Sequence, residues 1–288
     1  MAVTSNLPAG TAAVPLQFTS EDLYANISVG NGPTVPVIVD TGSKGLILPS
    51  QDVNLQSLGA ATGRGSVTYG WPGDLLTESY STYTTTVNFG SGFVTSPTTI
   101  AVVTSATLNG SPYSNAEVPA ILGIGVNSGG PAGTTSPVTA LPGSLGQGVL
   151  IDGPSRVMTF GANPLPSFAT VTGAPVATLS VSISSNGSTG PLQQTSGAFI
   201  DSGGLFGAVP SNLGAPNDNG YVAPGTGITV YTTGGTLLYS TTTTSGATPI
   251  LPSNQYGSDF NTGVTPFLDY PIYLSYGPAG TGTISFDT

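Results

Sequence analysis

The chain has 288 residues, enough for one large or two medium domains with a sizeable core. Only 6% of the residues are charged and the formal net charge is −10. Lys44, Arg64 and Arg156 are the whole basic complement, so no basic patch for nucleic acid or an anionic membrane can be built. The chain has no Cys and no His, which excludes disulfides, cysteine nucleophiles, Ser-His-Asp triads and His or Cys zinc sites. The remaining acid–base candidates are the carboxylates, Lys44 and the tyrosines.

The 42 Gly and 25 Pro would suit disorder. Against that, an apolar fraction of 38% and recurrent β-branched runs predict a loop-rich, all-β protein. No run approaches the ~18 apolar residues of a membrane span. Met1-Ala2 opens no signal peptide. The Pro/Ala/Gly/Thr-rich residues 1–15 read as a linker tail, as expected of a domain excised from a longer polypeptide.

Residues 23–30 alternate as a strand and turn at Asn31-Gly32. The next strand, 34–39, runs into Asp40-Thr41-Gly42-Ser43, and a short helix is expected between Gln51 and Leu58. Residues 66–73 hold a short strand and a Gly/Pro tip carrying Tyr69, Gly70 and Trp71, followed by the long strand-like run 75–89. This reads as a protruding hairpin. Its aromatics either pack in the core or form a mobile flap that presents them to a ligand.

Runs 92–95 and 98–104 continue the β pattern, and residues 118–125 read as a buried strand ending in close-packed glycines. Residues 127–147 read as a surface loop with one helical turn. Runs 148–151 and 156–160 flank a hairpin signal at Asp152-Gly153. A lobe boundary is placed near residue 163, giving lobes 16–163 and 164–288. In the second, strand 176–184 turns at Asn186-Gly187, and a polar loop leads to Asp201-Ser202-Gly203-Gly204. After a loop at 211–227, short strands are expected at 228–232, 236–241 and 248–251. A helix within 258–268 and strands at 272–275 and 283–286 close the chain.

Residues 37–49 and 198–210 align without a gap. Each has small or apolar residues, then Asp, a hydroxyl residue and Gly, then a mostly apolar run ending in Pro. A single such triplet is an ordinary Asx turn. A carboxylate at such a turn costs desolvation energy unless something satisfies it, and the repetition over thirteen residues predicts two carboxylates that meet.

These residues resemble the pepsin-like, bilobal aspartic proteases. The likeness rests on Asp40-Thr41-Gly42-Ser43, Asp201-Ser202-Gly203, the flap dipeptide Tyr69-Gly70, and Ile121-Leu122-Gly123 as a hydrophobic-hydrophobic-Gly element. The Cys-free, Gly/Thr/Pro-rich composition further resembles the mycobacterial PE/PGRS-family surface aspartic proteases. The resemblance implies two pseudo-twofold-related β lobes with a cleft between them, and an endopeptidase whose catalytic residues are Asp40 and Asp201. Thr41, Gly42, Ser43, Ser202, Gly203 and Gly204 would support the pair, with Tyr69, Gly70 and Trp71 as the substrate-binding flap. It implies no metal or cofactor, a polypeptide substrate with apolar side chains, a monomer, and a secreted or cell-surface location.

Three positions depart from the family pattern. Gly204 stands where a Ser or Thr is usual, the second half offers only Phe260-Asn-Thr-Gly263 as its hydrophobic-hydrophobic-Gly element, and Trp71-Pro72 makes a bulky flap tip. Since Ser43 offers Asp40 a hydroxyl and Gly204 offers Asp201 none, the negative charge is expected on Asp40 and the proton on Asp201. Two other readings remain: a cell-surface interaction domain keeping this fold with little or no catalysis, favoured by Gly204, and a β-sandwich adhesin or carbohydrate binder with a stacking aromatic tip.

Overall fold

The structure is a computed structural model and describes residues 9–19, 21–277 and 280–288. Strands take 49% of the chain and helix 10%, as the β-branched runs predict. Period-two alternation writes most of the strands. Leu23, Ala25, Ile27 and Val29 are buried along the Leu23–Val29 strand, and Val35, Val37 and Val39 along Thr34–Asp40. The two pair antiparallel across the Asn31-Gly32 turn, where the Gly32 N–H donates to the Val29 carbonyl at 2.9 Å.

One large sheet carries most of the strands. Its order begins Ser167–Thr172, Thr283–Asp287, Pro271–Ser275, Gly148–Asp152, Val157–Phe160 and Ala12–Phe18. These strands come from the beginning, middle and end of the chain, so the two halves are stitched together here. The sheet continues through Leu23–Val29, Thr34–Asp40, Ile121–Ile124, Lys44–Pro49, Thr98–Leu108, Asp74–Thr85 and Gly63–Trp71. The second half adds a smaller sheet in which Val176–Ser185 pairs with Gln193–Phe199 and with Gly227–Tyr231, and the latter pairs with Leu237–Thr242.

A continuous apolar core lies beneath both sheets, with Phe89 and Phe160 in ring contact at 4.9 Å. A smaller cluster of Ile47, Tyr80, Val103 and Ile121 lies under the 63–85 hairpin. Fully burying a side chain such as Leu48 or Ile100 contributes about 1.5–3 kcal/mol. Many such side chains let a chain so poor in charge hold together.

The structure corrects several local expectations. Residues 12–15, read as tail, begin a strand: Ala12, Val14 and Leu16 point inward, and Ala12–Phe18 pairs with Val157–Phe160 and Leu23–Val29. Residues 1–8 of that tail lie outside the described residues. The helix expected over 51–58 is split into a 3-10 turn, Ser50–Asp52, and one α-turn, Leu55–Leu58, because Val53 between them goes extended and buries its side chain. Residues 92–95 are not a strand. Gly90, Ser91 and Gly92 take positive φ, and only Val94 bridges back, to Asn88. The 127–147 loop holds two 3-10 turns, Pro137–Ala140 and Gly143–Gln147. The short helix expected within 258–268 is Thr265–Asp269; a further short helix, Ser253–Tyr256, precedes that window, and Asn261 between the two bridges Phe199 and Ala208.

Candidate active site

Asp40 ends the Thr34–Asp40 strand, and Lys44–Pro49 leads away from the turn. The Ile121–Ile124 strand inserts between them, parallel to the first and antiparallel to the second. Ile121 faces Ile38 on one side and Ile47 on the other. Gly123 must be glycine, because a Cβ there would lie 2.6 Å from the Lys44 carbonyl carbon.

The second half repeats this crossing with polar residues. Asn261 bridges Phe199 in parallel and Ala208 antiparallel. Ile38 and Phe199 each stand two residues before their Asp, and Ile47 and Ala208 seven after. Asn261 therefore occupies the place of Ile121, Thr262 that of Leu122 and Gly263 that of Gly123. The Phe260–Gly263 stretch does supply the crossing segment, with Asn-Thr-Gly as its register. Both polar side chains serve the turn. The Asp201 N–H donates to Thr262 Oγ1 at 3.0 Å, and Asn261 Nδ2 donates to Asp201 Oδ2 at 2.6 Å.

The crossings bring the two Asp turns face to face. Thr41 Oγ1 donates to the Ile200 carbonyl and Ser202 Oγ to the Val39 carbonyl, each at 2.6 Å. In return the Thr41 N–H donates to Ser202 Oγ at 3.0 Å and the Ser202 N–H to Thr41 Oγ1 at 2.9 Å. Both side chains are fully buried, and the four bonds lock one half to the other.

The glycines permit this approach. A Cβ on Gly42 would overlap the Asp201 carboxylate, and one on Gly203 would lie 2.8 Å from Asp40 Cγ. The Gly42 N–H donates to Asp40 Oδ1 at 2.7 Å and also to Asp201 Oδ1 at 3.1 Å, so one donor serves both carboxylates. Ser43 Oγ donates to Asp40 Oδ2 at 2.5 Å, and the Gly203 N–H to Asp201 Oδ1 at 3.0 Å. Burial, then the Asp201 charge, raise Asp40 well above the usual carboxylate range, against the opposing bonds from Ser43 and Gly42.

Gly204 bonds neither carboxylate with a side chain, as expected. The inference drawn from it does not hold, because Asn261 fills the role of the missing hydroxyl. The premise that Asp201 lacks an outer donor is overturned, and the expected placing of charge on Asp40 loses the ground it was argued from. The sequence signal was weak: an Asn where the pattern calls for an apolar residue.

The 63–74 segment folds over the pair. Gly63–Trp71 and Asp74–Thr85 pair along their length, with Trp71 opposite Asp74 and Pro72-Gly73 at the tip. Gly70 takes φ +92°, and a Cβ there would overlap the Asp74 carbonyl. Behind the tip, Asn109 Nδ2 donates to the Gly73 carbonyl at 2.8 Å and Asn109 Oδ1 accepts the Leu75 N–H at 2.9 Å. Tyr69, Gly70 and Trp71 line a cleft of about 430 Å³ that also holds Asp40, Asp201, Ile121, Phe199 and Leu205. Trp71 is half-buried at the cleft and belongs to neither core cluster. Tyr69 packs its ring against the satellite core, and burial, then Asp40, push its phenol up. Next to it, Glu78 is fully buried with both carboxylate oxygens unpartnered, and burial pushes it up to about 8.

Among the described residues, no group of three or more Asp or Glu side chains is arranged to hold a metal ion, and no helix is long and apolar enough to cross a membrane. The fold is similar to that of the aspartic proteinase from Irpex lacteus, with a TM-score of 0.65 over 97% of each chain at 18% identity. In sequence the chain is 37% identical over 305 residues to PE cleavage protein A of Mycobacterium tuberculosis, and 37% identical over 303 residues to PE cleavage protein A of Mycobacterium marinum. Each alignment covers 95% of this chain but 51% and 52% of those relatives, so the chain spans about half their length. The PE-PGRS C-terminal aspartyl peptidase-like domain matches residues 12–284, and the chain belongs to that family.

Proposed function

We propose that the chain is an aspartic endopeptidase in which Asp40 and Asp201 together activate a water molecule against a peptide bond. The observation that carries this reading is the Gly42 N–H shared by two buried carboxylates on interlocked turns. Two such carboxylates cannot both ionise at low cost and so share one proton, the behaviour for which aspartic proteases serve as the standard example. The ionised member takes a proton from the water, and the protonated member donates to the substrate carbonyl. The substrate would lie extended beneath Tyr69, Gly70 and Trp71, pairing its backbone as an added strand. Ile121, Phe199 and Leu205 would favour apolar side chains beside the scissile bond.

Membership in a family of PE-PGRS C-terminal domains supports a secreted or cell-surface location. The reading as an interaction domain without catalysis rested on the missing hydroxyl at Gly204. Asn261 donates to Asp201 in its place, which removes that ground. Incubating the purified protein with a mixed peptide library at several pH values tests the proposal. Cleavage that disappears in Asp40→Asn and in Asp201→Asn is the expected result. Substantial cleavage in either variant would sink it.

A further inference from the structure

The partners of the two carboxylates differ in kind. Asp201 accepts from the Gly42 and Gly203 N–H groups on Oδ1 and from Asn261 Nδ2 on Oδ2. All three are N–H donors that cannot accept a proton in return. The orientation of the Asn261 amide is fixed, because its Oδ1 accepts the Gly263 N–H at 2.8 Å and only Nδ2 is left to face Asp201. Asp40 has one such donor, Gly42, on Oδ1. On Oδ2 it has Ser43, whose hydroxyl can donate to a carboxylate or accept from a carboxylic acid. A proton on Asp40 can be accommodated by its surroundings. A proton on the outer oxygen of Asp201 would face an N–H.

We infer that Asn261 is the positioning residue that keeps Asp201 ionised and leaves the shared proton on Asp40, and that position 204 is glycine to make room for it. A Cβ at Gly204 would overlap Asn261 Oδ1 and lie 2.7 Å from Asp201 Oδ2. Gly204 is not at positive φ, so its backbone accepts a side chain, and the obstacles are the Asn261 amide and, less severely, the Asp201 carboxylate. In the first half the corresponding crossing residue is Ile121, which makes no such demand, and Ser43 has its space. The burial and neighbouring charge that raise Asp40 act in the same sense.

The assignment orders the chemistry and rests on the endopeptidase reading. The water oxygen bonds to the substrate carbonyl carbon as its proton passes to Asp201. The proton of Asp40 goes to the carbonyl oxygen, giving a neutral diol. On collapse the C–N bond breaks, the leaving amine takes the proton from Asp201, and a diol hydroxyl returns one to Asp40. The other titratable groups lining the cleft are Tyr69, Asp74, Tyr256 and Asp259. No hydrogen bond joins any of them to Asp201 or Asn261 among the described residues. No basic side chain lines the cleft either.

The test compares pH profiles of kcat/KM, with melting temperatures alongside, for the parent, Asn261→Ala, Gly204→Ser and the double variant Asn261→Ala/Gly204→Ser. Loss of a donor to a carboxylate raises the pH at which it ionises. In Asn261→Ala the acid limb should therefore move toward neutral by on the order of one pH unit, with kcat falling more than KM changes. Gly204→Ser alone displaces Asn261 and should be equally impaired. The double variant places a hydroxyl in the vacated space and should return the acid limb toward the parent position. Rescue of this kind is not expected if Asn261 serves only to cap the Gly263 N–H. An acid limb that stays put in folded Asn261→Ala, or a double variant no better than either single one, overturns the inference. A parent without peptidase activity at any pH would defeat the endopeptidase reading instead. Carboxyl ¹³C NMR titration still tests the assignment in that case: Asp201 should ionise at lower pH than Asp40 in the parent, and the reverse order overturns it.

Discussion

Asp40 and Asp201 sit at matching turns, yet their outer oxygens are served from different places. Asp40 takes a hydroxyl from three residues along its own turn, and Asp201 takes an amide from sixty residues away. Much between the halves is reciprocal: the Thr41 and Ser202 hydroxyls, the close approach of Gly42 and Gly203 to the opposite carboxylate, and the crossing segments. The asymmetry lies in the outer donor, a hydroxyl against an amide, and in the Gly42 N–H, which reaches Asp201 as well as Asp40 while the Gly203 N–H reaches Asp201 alone. What the turns require is a donor at a point in space, and the fold has more than one residue within reach of it. The flap makes a second contrast. Pro72 lies 32 residues after Asp40, and the same interval after Asp201 reaches Thr233, at the tip of the hairpin joining Gly227–Tyr231 to Leu237–Thr242. That tip, Thr232 to Thr236, has no aromatic and no acidic residue.

The largest expected effect comes from breaking the pair itself. Asp40→Asn and Asp201→Asn should each lower peptide cleavage by about 10³-fold or more, since each removes one partner of an acid–base couple. Asp52→Asn and Asp152→Asn, whose carboxylates do not line the cleft, are the controls and should leave the rate within about 2-fold. A rate that falls for only one member of the pair would show that the halves are unequal in chemistry and not only in their outer donors.

The next effect is on stability. Ser202→Ala leaves the buried Thr41 N–H and Val39 carbonyl without a partner, and Thr41→Val does the same to the Ser202 N–H and the Ile200 carbonyl. Each orphaned buried group costs about 1–3 kcal/mol, so each variant, with two such groups, should lose about 2–6 kcal/mol. Because the bonds form one reciprocal unit, the double variant should lose clearly less than the sum. Equilibrium denaturation of the two single variants and the double variant measures this. Strict additivity would mean the two halves are held independently.

How much of this arrangement the sequence discloses depends on whether the signal is local. The Asp turns, the Asn186-Gly187 and Asp152-Gly153 hairpins and the flap tip are each written in consecutive residues, and the structure has them where those residues place them. The Ala12–Phe18 strand is hidden by Pro and Ala in its composition, although its inward residues alternate correctly. Ser167–Thr172 has the same difficulty: only Ala169 and Val171 are buried, between polar neighbours. The role of Asn261 is not local at all. Its polarity reads as a defect in an apolar element until Asp201 is seen 2.6 Å from its amide. Glu78 lies between these cases. Alternation puts it on the inward face with Leu76 and Tyr80, so its burial is legible, but a charged residue at such a position invites an outward reading.

Glu78 provides the third prediction, because the second hairpin has no acidic counterpart. Its folded-state value is raised from 4.5 to about 8 by burial. Below about pH 4.5 the carboxyl is neutral in both folded and unfolded chains, and the group contributes no pH-dependent penalty. As pH rises toward 8 the unfolded chain gains by ionising while the folded chain cannot, so stability falls through this window and levels off above it. Glu78→Gln removes that dependence. It should match the parent near pH 4 and exceed it by up to about 3 kcal/mol at pH 7. Melting temperatures of both proteins from pH 4 to 8 provide the measurement. Parallel curves would show that Glu78 finds a partner when ionised.

The smallest effect sharpens the contrast between the two hairpin tips. Trp71 is half-buried at the cleft, outside both core clusters, and the tip behind it is already braced by Asn109. Trp71→Ala should therefore change stability by less than about 1 kcal/mol. If the flap closes over an extended substrate, the indole supplies contact area that forms only when substrate is present. Its loss should then lower kcat/KM by about 10-fold, equivalent to about 1.4 kcal/mol of transition-state stabilisation. Substituting Thr233 by Ala, at the tip of the second hairpin, should leave both quantities unchanged. Kinetics and melting temperature measured together separate the outcomes. A Trp71→Ala protein that melts several degrees lower with unchanged kcat/KM would make Trp71 a packing residue. The flap would then be no closer to a substrate than its plain counterpart in the other half.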